Sequence, residues 1–110
     1  MSDDLQSLGA EPTREDVDAS RGPLLLEFGA AWCGHCQALA PQLAALLEEF
    51  RTVRHIKVED GPGRPLGRSF RVKLWPNLVF LRDGQVVSQL ARPDVQKVRQ
   101  ALEAIAVQSD

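Results

Sequence analysis

The stretch LLLEFGAAWCGHCQALAP, residues 24–41, carries the strongest pattern in the chain. Its first part, Leu24 to Phe28, is short and apolar and contains one acid, as in a buried strand. From Cys33 onward, apolar residues recur at helical spacing as far as Phe50. The stretch therefore predicts a buried strand that leads directly into a helix, with Cys33-Gly34-His35-Cys36 at the junction.

The two cysteines lie where this helix begins, and two intervening residues let both sulfurs meet across its first turn. Cys33 is then next to unpaired backbone N–H groups and the positive end of the helix dipole, which favour its thiolate. A protonated His35 adds a further positive charge. Because both effects stabilise the reduced form, we expect an oxidising disulfide tuned by Gly34 and His35. We expect Cys36 to be more buried and less acidic.

A closely spaced cysteine pair has other uses, which the composition argues against. A structural zinc site needs four ligands, and besides the cysteines the chain has two histidines, His35 and His55. Covalent haem attachment needs a histidine after the second cysteine, where this chain has Gln37. We therefore predict a redox-active pair, Cys33 and Cys36, that uses no metal and no organic cofactor.

The rest of the chain predicts the remaining elements of an α/β domain. The predicted elements are a helix from the cap Thr13 to about Ala19, a strand over 53–58, a helix from Pro65 to about Phe70, a hairpin over 78–90 that turns at Asp83-Gly84, and a helix from Pro93. This order predicts one domain over residues 1–110. Its architecture should be a three-layer α/β/α sandwich around a mixed sheet of four to five strands.

The composition is that of an ordinary globular protein, with 110 residues, 44% hydrophobic and 25% charged. The formal net charge of -2 predicts binding neither to nucleic acid nor to a membrane surface. The N-terminal sequence has no signal-peptide pattern, so we expect a cytoplasmic protein. One basic run is a solvated face or, alternatively, a docking patch for acidic partners: Arg64, Arg68, Arg71 and Lys73.

Residues 24–41 resemble the active-site segment of the thioredoxin superfamily, and CGHC is similar to the catalytic domains of protein disulfide isomerases. The resemblance implies a thioredoxin fold and a thiol-disulfide oxidoreductase in which Cys33 attacks and Cys36 resolves. It implies that Pro76 is a cis-proline facing the disulfide. Protein disulfides would be the substrates, a reductant or oxidant protein would recharge the pair, and we expect a monomer. The alternative is a binding or assembly protein with a regulatory disulfide.

The resemblance also assigns a catalytic role to Glu27, as a buried carboxylate behind the second cysteine, with Lys57 as its companion. The residues alone agree, because an acid in a buried strand is costly unless it is paired or neutral, and such an acid suits proton transfer. A purely structural Glu27–Lys57 pair remains open. His55 has no functional context and is predicted to be an ordinary strand residue.

Three departures from the family pattern lie near the predicted site. Trp75 precedes Pro76, where a small or β-branched residue is common, and Gln37 replaces a frequent lysine. Ala91-Arg92 occupies the place of a glycine that lets substrate approach. Together these predict a reshaped substrate groove, whose residues we expect to be Trp32, Trp75, Pro76, Ala91 and Arg92.

Overall fold

A computed structural model describes residues 11–106 of the chain. Its helices are α1 (Arg14–Asp18), α2 (Gly34–Glu49), α3 (Pro65–Ser69) and α4 (Val95–Ala106), and its strands are β1 (Pro23–Gly29), β2 (Arg54–Glu59), β3 (Asn77–Arg82) and β4 (Gln85–Ala91). The predicted elements are present in the predicted order, with ends that differ by one or two residues. Within residues 11–106, no helix has the length and apolarity needed to cross a membrane.

Local sequence signals account for where several elements begin and end. The Thr13 hydroxyl accepts the N–H of Asp16 at 3.0 Å, and the Asp16 carboxylate accepts the N–H of Thr13 at 2.9 Å. This reciprocal cap begins α1. Between β3 and β4, Asp83 and Gly84 adopt φ of 52° and 78°, the left-handed pair that a two-residue hairpin turn requires. A side chain at Gly84 would collide with the Asp18 carbonyl oxygen, so the turn needs a glycine.

The four strands form one mixed sheet in the order β2-β1-β3-β4. Strands β1 and β2 pair in parallel, with Leu24 opposite Arg54 and Glu27 opposite Lys57. Strand β3 is antiparallel to both of its neighbours, and its pairing with β4 is irregular between Phe80 and Leu81. The sheet therefore has the predicted mixed character, with four strands.

Alternate residues of the buried strands pack into two separate cores, one on each face of the sheet. On one face, Leu25 and Phe80 pack against α2 and α4 through the buried side chains of Leu39, Leu43, Leu46, Val98, Leu102 and Ile105. On the other face, Leu26 and Phe28 pack against α1 and α3 through Val17, Leu66 and Phe70. Helices cover both faces, which confirms the predicted three-layer architecture.

The topology brings four segments to one edge of the sheet. The parallel strands β1 and β2 both end there, so that Cys33 and Asp60 follow them at the same edge. Strand β3 runs the opposite way and begins at this edge, immediately after Trp75-Pro76. Strand β4 returns to it and leads into Arg92. Residues that are far apart in sequence therefore surround the cysteine pair.

Candidate active site

Cys33 is the N-cap of α2, and its side chain folds back over the first turn of the helix. Its Sγ accepts a hydrogen bond from the N–H of Cys36 at 3.2 Å. Both thiols are free, and Cys33 is buried at 6% exposure, whereas Cys36 is half-buried. By exposed surface, Cys36 is therefore not the more buried of the two residues.

The surroundings shift the pKa values of the two thiols in opposite directions. Burial raises the pKa of Cys33, but hydrogen bonds from the Cys36 thiol and from the N–H groups of Cys36 and His35, together with the charge of Arg92, lower it below its ordinary value. Burial and the hydrogen bond to Cys33 raise the pKa of Cys36 to about 11, with added repulsion from Cys33 and Glu27. Cys36 is thus the less acidic thiol, as predicted. The sequence missed that Arg92 supplies the nearby positive charge, and that His35 acts through its backbone N–H.

The absence of a side chain at Gly29 leaves room for the sulfur of Cys36 at the end of β1. A Cβ on Gly29 would lie 2.6 Å from the Cys36 Sγ, which is closer than a side chain allows. The Cys36 thiol therefore packs directly against strand backbone. Sequence reasoning missed this role, although a glycine that directly ends an apolar strand is a signal for close backbone approach.

Glu27 is buried at 4% exposure, and its side chain projects from the sheet face opposite to Leu26 and Phe28, as predicted. Within the described residues, its hydrogen-bond partner is His55, whose Nε2 lies 2.7 Å from the Glu27 Oε1. Lys57 is opposite Glu27 in the strand register, and its side chain is exposed. The expectation that Lys57 pairs with Glu27 is corrected here: His55, which is a strand residue as predicted, holds the carboxylate.

A cavity of about 400 Å³ brings the catalytic candidates of the two parallel strands together with Cys36. Its wall includes Glu27, Gly29, Cys36 and Lys57. The cavity therefore connects the buried carboxylate and the Cys36 sulfur with the solvent. Within residues 11–106, no cluster of three or more His, Cys, Asp and Glu side chains is arranged to hold a metal ion.

Two tryptophans form an aromatic rim at the same edge of the sheet. The ring centroids of Trp32 and Trp75 are 5.4 Å apart, with an edge-to-face angle of 69°, and Trp32 is 74% exposed. The Trp75–Pro76 peptide bond is cis, as the resemblance implied. The Trp75 indole N–H donates to the Asp60 carboxylate at 2.9 Å, a contact that sequence reasoning missed.

Arg92 covers the backbone that precedes Pro76. Its N–H donates to the Pro76 carbonyl and its Nε donates to the Trp75 carbonyl, both at 2.8 Å. Its φ of 48° is in the left-handed region that favours glycine. The preceding residue, Ala91, ends β4 opposite Asn77. The structure thus brings the predicted groove residues together, with the Arg92 guanidinium on a carbonyl that a glycine would leave uncovered.

The fold and this site define a thiol-disulfide oxidoreductase domain, in which a CxxC pair begins a helix after the central parallel strand. The chain belongs to the thioredoxin family, whose model, described as Thioredoxin, matches residues 5–105. The structure is similar to that of thioredoxin 2 from Pseudomonas aeruginosa PAO1 in its reduced form, at 52% identity and a TM-score of 0.77. That likeness covers 87% of this chain and 90% of the other, and it confirms the predicted thioredoxin fold.

Two further relatives are similar over part of the chain. Thioredoxin Asp f 28 of Aspergillus fumigatus is 36% identical over 66 residues, which cover 60% of this chain and 61% of that protein. Protein disulfide-isomerase A2 of Pongo abelii is 49% identical over 65 residues, which cover 56% of this chain and 12% of that protein. The chain therefore spans less than two thirds of the length of either relative.

Proposed function

We propose that the protein transfers electrons between its Cys33–Cys36 dithiol and the disulfides of other proteins. The opposite pKa shifts of two adjacent thiols are the observation that carries the proposal. A thiol with a lowered pKa supplies the nucleophilic thiolate near neutral pH, while its neighbour stays protonated until it is needed.

In the first step, the Cys33 thiolate attacks one sulfur of the partner disulfide. A bond forms between Cys33 and that sulfur, and the other sulfur of the partner leaves with the electron pair as a thiolate. The N–H groups of Cys36 and His35 and the charge of Arg92 stabilise the attacking thiolate beforehand. Arg92 also covers the Trp75 carbonyl, so we propose that it limits which protein chains approach the sulfur.

In the second step, Cys36 loses its proton and attacks the Cys33 sulfur, which releases the partner as a second thiolate and leaves the Cys33–Cys36 disulfide. Burial and the charge of Glu27 raise the pKa of Cys36 whether or not Cys33 is in the mixed disulfide, so a base must take this proton near neutral pH. We propose that Glu27, which shares a cavity with Cys36, is that base, and that Lys57 at the cavity wall assists it.

The remaining parts of the proposal concern partners. We propose that a reductant or oxidant protein recharges the pair, and that no metal or organic cofactor takes part because thiol-disulfide exchange needs none. The aromatic rim of Trp32 and Trp75, together with Pro76, Ala91 and Arg92, would contact the partner chain. The monomeric state and the cytoplasmic location stay predictions from the sequence.

Catalytic reduction of insulin, with dithiothreitol as the electron donor, tests the proposal. We expect turnover by the wild-type protein and none by Cys33→Ser. With dithiothreitol removed after the protein has been reduced, Cys36→Ser should accumulate a covalent complex in which Cys33 is joined to the substrate, because the second thiol is missing. A wild-type protein that binds insulin but never turns over would overturn the proposal and favour a binding protein with a regulatory disulfide.

A further inference from the structure

A groove of about 530 Å³ lies beside the aromatic rim, between α3 and the segment that leads into β3. Trp75 forms one of its walls. The charged residues that line it are four cations and one acid: Arg64, Arg68, Arg71, Lys73 and Asp60. The surface is therefore strongly basic, although the whole chain has a formal net charge of -2.

Within residues 11–106, most of this positive charge has no ion-pair partner. Arg64 lies 3.5 Å from the carboxylate of Glu11, and Asp60 is held by the Trp75 indole N–H at 2.9 Å. Arg68, Arg71 and Lys73 are exposed and form no ion pair with any residue in the described range 11–106. Within residues 11–106, these three cations therefore line the groove without an ion-pair partner, and Asp60 is the one acid among the lining residues.

The groove is continuous with the disulfide site through Trp75. The same indole that lines the groove stands edge-to-face with Trp32, which directly precedes Cys33. On the other side, the Trp75 carbonyl meets Arg92. A partner chain whose cysteine reached Cys33 would thus place its neighbouring residues against the basic groove.

We propose that this groove binds an acidic segment of the partner protein, adjacent in that protein to the cysteine that reacts with Cys33. The proposal rests on the proposed function and states the kind of substrate that the site prefers. Charge complementarity favours an acidic occupant, because three cations without an ion-pair partner in the described residues attract carboxylates. This attraction raises the rate at which the partner meets the protein, and it fixes the register in which the partner chain binds. A long nucleic acid fits less well, since it would extend beyond the groove over a chain of net negative charge.

Two peptides test the proposal, each with one cysteine as a mixed disulfide with 2-mercaptoethanol. They are identical except that a run of aspartates flanks the cysteine in one and a run of asparagines does so in the other. Exposed ion pairs are individually weak, so we expect the reduced protein to react about tenfold faster with the acidic peptide at low ionic strength. The preference should disappear near 1 M salt, where the screening length falls to about 3 Å.

The double variant Arg68→Glu/Lys73→Glu should lose or reverse this preference and still reduce the asparagine peptide at the wild-type rate. Arg51→Glu is the control for reversing the charge of an exposed arginine elsewhere on the surface. Arg51 lies beyond the C-terminal end of α2, far from Cys33. It should keep the preference.

Equal wild-type rates for the two peptides, or a preference that persists in the double variant, would overturn the inference while leaving the proposed function intact. Failure to reduce even the asparagine peptide would count against the proposed function itself. If a single-stranded oligonucleotide inhibited the wild type but not the double variant, and the acidic flank had no effect, the groove would be assigned to nucleic acid instead.

Discussion

At the scale of single residues, Glu27 has two opposing effects on Cys36. Its negative charge raises the pKa of the Cys36 thiol, which disfavours the thiolate. Its carboxylate also offers a proton acceptor in the cavity that Cys36 shares, with His55 holding Oε1 at 2.7 Å. When the charge of Glu27 is removed, the two effects predict opposite changes in the rate at which Cys36 resolves a mixed disulfide. One substitution therefore separates them.

The variant Glu27→Gln keeps the volume of the side chain and removes the base. We expect resolution of a mixed disulfide at Cys33 to slow by up to about 10²-fold, because Cys36 loses its proton acceptor. The first attack by Cys33 should be almost unchanged. Stopped-flow measurement on a fluorescent mixed disulfide resolves the two steps.

Lys57→Gln is the control for this experiment, because Lys57 lines the same cavity and carries no carboxylate. We expect it to slow resolution less than Glu27→Gln does. Faster resolution in Glu27→Gln would mean that the carboxylate acts on Cys36 through its charge alone, since removing that charge lowers the pKa of the thiol.

Arg92 links the reactivity of Cys33 to the shape of the groove. In Arg92→Gly, the Trp75 carbonyl is uncovered, and the pKa of Cys33 rises because a nearby positive charge is lost. Small neutral disulfides should therefore react somewhat more slowly near neutral pH, where less thiolate is present. The rate of reaction with protein disulfides should rise relative to the rate with small disulfides, because the backbone at Trp75 becomes accessible to a partner chain. The ratio of the two rates measures this change, and thiolate absorbance against pH measures the pKa.

Arg92→Gln separates the two causes, since it removes the positive charge but keeps a side chain long enough to cover the Trp75 carbonyl. It should raise the pKa of Cys33 as much as glycine does. If small and large disulfides changed by the same factor in both variants, access to the groove would not depend on Arg92.

At the scale of elements, the first turn of α2 sets the redox behaviour of the cysteine pair. The N–H groups of His35 and Cys36 both lower the pKa of Cys33, as expected for unpaired donors at a helix N-terminus. A stabilised thiolate favours the reduced form, so we expect a redox potential above the roughly -270 mV of thioredoxin, towards the roughly -180 mV of disulfide isomerase.

The variant His35→Pro removes one of these donors at a position in the first turn that tolerates proline. A hydrogen bond to a charged group contributes about 1.5–3 kcal/mol, so the potential should become more negative by about 30–60 mV. Equilibration with glutathione measures it. His35→Ala keeps the N–H and removes only the imidazole, and we expect it to shift the potential less. Equal shifts in the two variants would assign the effect to the ring.

At the scale of the whole molecule, the sandwich depends on the packing of α4 against the sheet. Leu102 is fully buried and packs in the same core as Leu25, Leu43 and Phe80. Leu102→Ala should lower the free energy of unfolding by about 2–5 kcal/mol, because it removes apolar contact and leaves a cavity. This is a large share of the roughly 5–15 kcal/mol expected for a domain. Urea denaturation of the reduced protein measures it.

Leu74→Ala is the matched control, since Leu74 is 49% exposed in the segment before β3. We expect it to change the free energy of unfolding by about 0.5 kcal/mol or less. Similar losses in the two variants would contradict the close packing of α4 described above.

The architecture could be predicted from the sequence because its signals are local. The short apolar run of β1, the helical spacing after Cys33 and the Asp83-Gly84 turn each depend on a few consecutive residues. The cysteine pair could also be predicted, since its chemistry follows from two residues at the start of one helix. The hydrogen bonds that lower the pKa of Cys33 come from the same local geometry, and the charge of Arg92 adds to them.

Only the tertiary structure decided which distant groups act on that pair. Glu27 and His55 are 28 residues apart and meet because β1 and β2 are adjacent, and Arg92 reaches the Trp75 carbonyl across 17 residues because β4 returns beside the start of β3. Side-chain partners across strands depend on register and on side-chain reach, which no local pattern encodes. The sequence by itself therefore determined the fold and the position of the cysteine pair, and the packing of the sheet determined which distant residues surround that pair.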